Sequence, residues 1–153
     1  MTRLGSLVGL PAALEGRMVG RVEQAVLTPD GRSLRGLVLR HGLGSARWAA
    51  AGSIGVLGQV AVVLREKPVR PPKKADFMLT SVKDSAGLNL GRVTDVYINP
   101  ETMQVVALEI SLGVVEELRL GRMLARQYVV RPTPEEPGQV LIPCGYALER
   151  LQH

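Results

Sequence analysis

The chain has 153 residues, 46% of them hydrophobic and 22% charged, with a formal net charge of +5; that balance belongs to a globular protein, and the length holds one ordinary domain or two small ones. Five aromatic residues (Trp48, Phe77, Tyr97, Tyr128 and Tyr146) argue against a base-stacking platform for single-stranded nucleic acid. His41 and His153 supply no imidazole pair, and the single Cys144 excludes a disulfide framework and a thiolate zinc site and fits a reducing, cytoplasmic compartment, so no metal, cofactor or catalytic set is expected.

Along the chain, the N-terminal stretch to Arg17 has one early arginine and an apolar run broken by Gly5, Gly9 and Pro11, and is not expected to be a secretory signal. Arg21–Thr28 and Leu34–Arg40 read as the strands of a β-hairpin, with Ala25 and Leu27 on one face and a turn at Thr28-Pro29-Asp30-Gly31. Trp48 to Leu64 carries no charge, but Gly52, Gly55 and Gly58 interrupt it, so two short buried strands and a turn are expected rather than a membrane span. Pro68, Pro71 and Pro72 with Lys73 and Lys74 form a stiff polar connector. A second hairpin follows over Arg92–Asn99 and Val105–Ser111, turning at Asn99-Pro100-Glu101-Thr102, with Val96 and Ile98 sharing a face. A short C-terminal helix is expected over Tyr146–Gln152, where Leu148 and Leu151 stand three apart.

The two hairpins are copies of one another. A shift of 71 positions lays residues 16–42 on residues 87–113 without a gap, and seven pairs are identical: Gly16/Gly87, Gly20/Gly91, Arg21/Arg92, Val22/Val93, Pro29/Pro100, Leu37/Leu108 and Gly42/Gly113. The chain therefore divides into one unit over 1–68, a linker over 69–75 and a second unit over 76–153. Units this small bury little core alone, so packing of one against the other is expected. The fold class expected is all-β, as two small barrels whose closure removes free edges. Gly16, Gly20, Gly87 and Gly91 mark turns and close backbone approaches, and Arg21 and Arg92, present in both copies, are expected to bond turn carbonyls.

The repeated pattern, a Gly-x-x-x-Gly-Arg-Val entry, an apolar strand, an x-Pro-Asp/Glu turn and a second strand, resembles the PRC-barrel domain. That family includes the cytoplasmic domain of the photosynthetic reaction centre H subunit and the C-terminal domain of the small-subunit ribosome maturation factor. The resemblance covers the first half of each unit; the stretch from Val114 onward is longer and more charged than the family pattern. It implies two PRC-type barrels in tandem, acting without catalysis as a protein–protein adaptor or scaffold.

Charge divides between the units. Residues 1–75 hold 12 Lys/Arg against 4 Asp/Glu (+8), and residues 76–153 hold 7 against 10 (−3). Such a contrast can steer the units, or two chains, together, or bring the basic unit to an acidic protein, RNA or an anionic lipid surface. Arg17, Arg32, Arg35, Arg40 and Arg47, with Arg21, are the candidate contacts for a partner, and Arg35 and Arg40 fall on opposite strand faces. The second reading is an RNA- or ribosome-associated factor using this basic unit; a small-molecule or enzymatic role between the units ranks third. Peripheral membrane contact ranks below a protein partner, and self-association stays open. Glu109, opposite Val38 in the repeat, is expected to pair with Arg92 or Arg119 or to face solvent, Asp95 to lie on the surface, and Glu116-Glu117 and Glu135-Glu136 to be solvated charges in strands or loops.

Overall fold

The structure, a computed structural model, describes residues 1–145 and 148–151. The strands are β1 (Thr2–Arg3), β2 (Pro11–Leu14), β3 (Arg17–Leu27), β4 (Leu34–Arg40), β5 (Arg47–Ala50), β6 (Ile54–Leu57), β7 (Val62–Leu64), β8 (Ser81–Asp84), β9 (Asn89–Ile98) and β10 (Val105–Ser111). A short helix α1 (Val114–Leu120) is followed by β11 (Met123–Ala125), β12 (Val129–Val130), β13 (Val140–Ile142) and β14 (Glu149–Arg150). With 47% of residues in strands and 7% helical, the class is all-β, and the strands make two curled sheets, each a half-barrel.

The sheets repeat one plan. In the first the order is β5-β4-β3-β2-β7-β6; in the second it runs β12-β13-β8-β9-β10-β11-β14. Each long hairpin, β3–β4 or β9–β10, is antiparallel and carries a bulge at the same place, where Glu23 in one copy and its counterpart Thr94 in the other have no partner in the register. Each first strand also takes a parallel neighbour from late in its unit: Ala12 lies opposite Val62, and Val82 opposite Val140. Alternation along these strands sends Val22, Leu27, Leu37 and Leu39 inward in one sheet and Val96, Ile98, Leu108 and Ile110 inward in the other, into one continuous core.

The hairpin tips set the relation between the copies. Ser33 and Gln104, 71 positions apart, form an isolated antiparallel bridge; the Leu34 amide donates to the Met103 carbonyl at 2.8 Å and the Val105 amide to the Arg32 carbonyl at 2.8 Å. Each of these contacts joins a residue to the neighbourhood of its own counterpart, as happens only at a twofold axis. The two half-barrels thus sit about a local twofold axis through the bridge, as the halves of a dimer fused into one chain. The N-terminal segment crosses the same seam. β1 pairs not with its own sheet but with β9, Thr2 opposite Ile98 and Arg3 opposite Tyr97, while Leu4 and Leu7 enter the shared core.

Three elements differ from the sequence reading. Trp48–Leu64 folds as three short strands with a 3-10 turn at Ala51–Ser53, because Gly58 allows a reversal before β7. The helix expected at Tyr146–Gln152 falls partly outside the described residues; its described part, Glu149–Arg150, is a strand paired with β11. The described α-helix lies instead at Val114–Leu120, which places Glu116 and Glu117 on a helix rather than in a strand or loop; its last turn carries Arg119, which favours the carbonyl end. No helix is long and apolar enough to cross a membrane among the described residues.

Candidate interaction surfaces

The basic residues of the first copy do different work. Arg32, at the hairpin tip, lies over the Tyr128 ring with its guanidinium 4.5 Å from the ring centre, and donates from Nη2 to the Tyr128 carbonyl. Arg35 reaches the Lys73 and Lys74 carbonyls at 3.2 and 3.4 Å and lies 5.7 Å from the Trp48 ring. These two side chains are spent inside the molecule, one on the second copy and one on the connector. Arg21 donates to the Gly9 carbonyl at 3.1 Å; its counterpart Arg92 makes no such bond among the described residues. Arg40 stands directly across from Arg21 and is held by Glu23 at 3.2 Å and the Gly44 carbonyl at 3.0 Å. Arg17 and Arg47 are exposed, the latter opposite Leu39. Arg17, Arg21, Arg40 and Arg47 thus remain on the outside around one end of the first sheet, and His41 is exposed in the loop beside them.

The shared glycines sit where a side chain would obstruct the chain. Gly16 and Gly87 hold left-handed φ of +78° and +89° in matching turns. At Gly91, with φ +152°, an added Cβ would run into the Ser111 carbonyl of β10. At Gly20 the same atom would sit 3.3 Å from the Arg40 carbonyl, so the first copy is less tight.

Two clusters at the seam escape the sequence reading. Glu109, 1% exposed on β10, does not face solvent and does not pair with Arg92 or Arg119. It takes Arg122 Nη1 at 2.9 Å, Arg3 at 3.4 Å and the Tyr97 hydroxyl at 3.3 Å. Asp95 is likewise drawn in, accepting from Arg3 and, at 3.0 Å, from the Gly5 amide. Burial, and next the Glu109 charge, push the Tyr97 phenol above its ordinary range. On the other side of the seam the Tyr128 hydroxyl donates to the Gly31 carbonyl, and burial raises its pKa to about 12. Neither cluster announces itself in sequence: Arg3 and Glu109 are in different copies, as are Gly31 and Tyr128, and no short-range spacing links them.

Other acidic groups fix local structure. Glu136 accepts from Ser81, Thr80 and Gln139, and those hydroxyl bonds, Ser81 first, hold its carboxyl below the usual range; it anchors the loop before β13 rather than standing in solvent. Asp30 accepts from the Thr28 hydroxyl and the Arg32 amide, which lower its pKa and shape the first hairpin tip. Among the described residues no three His, Cys, Asp or Glu side chains converge to hold a metal ion. No family model matches the chain, and no curated protein matches it either.

Proposed function

We propose that this chain is a non-catalytic, cytoplasmic protein–protein adaptor or scaffold of the tandem PRC-barrel kind its sequence resembles. The observation that carries the reading is the fused pair with unlike surfaces. A symmetric homodimer presents every patch twice, whereas fusion frees each copy to change its outside while the core and turns keep their roles. Differences fall there at Arg17 and Arg40, which stand opposite Leu88 and Ser111, while the turn prolines and the glycines at 16/87 and 20/91 agree and the buried Val38/Glu109 pair is an exception in the core. Part of the charge contrast is used internally, in the pairing of Arg3 with Asp95 and Glu109. The rest, around the exposed Arg17 and Arg47, suits a partner with acidic groups. An RNA-binding role is the weaker alternative, because Arg32 and Arg35 are already occupied.

Affinity capture from native lysate, with and without nuclease, tests the proposal. Protein partners that survive nuclease and are lost in 0.5 M-scale salt fit an adaptor engaged through the arginines, since screening shortens to about 3 Å by 1 M. Partners that disappear with nuclease would turn the assignment to RNA, and a chain that retains nothing would remove the scaffold reading.

A further inference from the structure

The local twofold axis enters the molecule at the Ser33–Gln104 bridge, and on it also lies a groove between β3 and β9. Its walls are counterpart residues, Glu23 and Thr94, Gln24 and Asp95, Ala25 and Val96, each pair 71 positions apart. Its floor is apolar, made by Leu4, Leu27, Leu79 and Val93, and it encloses about 320 Å³. Val8 and Met78 stand at its mouth, 52% and 63% exposed.

Three features say what the groove takes. First, one of its long sides, on β3, is a strand edge. β2 pairs with β3 only as far as Arg21, so among the described residues no strand covers Glu23–Leu27 on that side; the facing stretch of β9 is covered by the 3-10 turn Leu4–Ser6, whose Gly5 amide donates to Asp95 at 3.0 Å. The two bulged residues lie within these stretches, where the ladder to β4 or β10 is already interrupted. Exposed strand edges select main chain, that is, a polypeptide in extended form. Second, the rim carries no charge left to match: Glu23 is held by Arg40 at 3.2 Å and Asp95 by Arg3 at 3.0 Å. An uncharged occupant meets no opposing or unpaired group there, while a charged one would be desolvated without compensation. Third, the groove continues the seam between the copies, whose floor is the same core into which Leu4 and Leu79 pack.

We propose that this groove docks an extended, uncharged segment of a partner protein, its alternate apolar side chains seated between β3 and β9 with Val8 and Met78 closing on them. The proposal rests on the scaffold reading and adds a second, uncharged surface to the arginine patch which that reading uses.

The test is amide NMR of the full chain titrated with a short capped peptide alternating leucine and serine, beside a control in which lysine replaces leucine. The expected result is saturable shifts at Glu23–Ala25 and Thr94–Val96 with the leucine peptide alone, weakened about tenfold by Val8→Glu or Met78→Glu, since each withdraws an apolar contact. Both positions are exposed, so both variants should keep the wild-type spectrum elsewhere. Absence of shifts up to the solubility limit, equal response to the lysine peptide, or undiminished binding by both variants would overturn the proposal. The two readings fail separately: partners captured from lysate equally well by wild type and by the Val8→Glu, Met78→Glu double variant leave the scaffold standing and remove the groove. Loss of all capture by wild type removes the scaffold itself.

Discussion

Val38 and Glu109 occupy one position of the repeated fold and are buried by opposite chemistries. Val38 packs with Val26 and Trp48 on the outer face of its sheet, with Ala75 of the connector and Phe77 just beyond it against them. Glu109 is covered by arginines and a tyrosine, one of the arginines carried across the seam by β1. Removing one partner of a buried carboxylate leaves it under-compensated, so Arg122→Met should cost about 3 kcal/mol in urea unfolding. Glu109→Val, which restores the residue of the other copy, removes the buried charge itself while Arg3 keeps Asp95, and should cost less than about 1 kcal/mol. The reverse ranking would mean that the ion network contributes nothing beyond filling space. Tyr128→Phe should cost about 1–2 kcal/mol, because the Gly31 carbonyl loses its buried donor. It also carries a pH signature. The folded phenol titrates near 12 and the unfolded one near 10. The folded state therefore holds the proton longer, and its stabilising effect is complete below pH 10 and disappears between pH 10 and 12. Wild type should lose stability across that window more steeply than Tyr128→Phe; parallel curves would show that the hydroxyl is not buried against Gly31.

Among the elements, what sequence could specify was local. The hairpins follow from alternating apolar residues and from turn prolines, and both form where expected. The bulges at Glu23 and Thr94 were not visible, because a bulge leaves period-two alternation almost unchanged on either side. The helix at Val114–Leu120 was missed because its two valines read as strand and its charged turn reads as loop. At Glu149–Arg150 the three-residue spacing of Leu148 and Leu151 suggested a helix, yet pairing with β11 decides the outcome, a tertiary contact overriding weak periodicity. The glycines give the sharpest test at this scale. Gly91→Ala should destabilise by about 2 kcal/mol or more, since the new methyl meets a backbone carbonyl that cannot withdraw; Gly20→Ala, with more room, should cost less. Chemical denaturation of both variants checks the order, and equal losses would mean that left-handed φ alone, and not strand approach, sets the cost.

For the molecule as a whole, the repeat announced two units, but not that they would share one core about a local twofold axis. The 71-residue offset was legible; the contact of Ser33 with Gln104, its own counterpart, was not, because a periodicity in sequence says nothing about the operator relating its copies. Nor could composition tell which arginines are structural, since Arg32 and Arg17 are the same residue type in one basic unit and only the fold sends one of them onto Tyr128. A continuous core, a strand exchanged across the seam and ion pairs between the copies make the fused pair a single cooperative body. Scanning calorimetry of the full chain tests this most directly. One transition is predicted, with calorimetric and van't Hoff enthalpies in agreement, and residues 1–75 or 76–153 expressed alone should melt well below it. Two resolved transitions in the full chain, or an isolated half as stable as the whole, would contradict it.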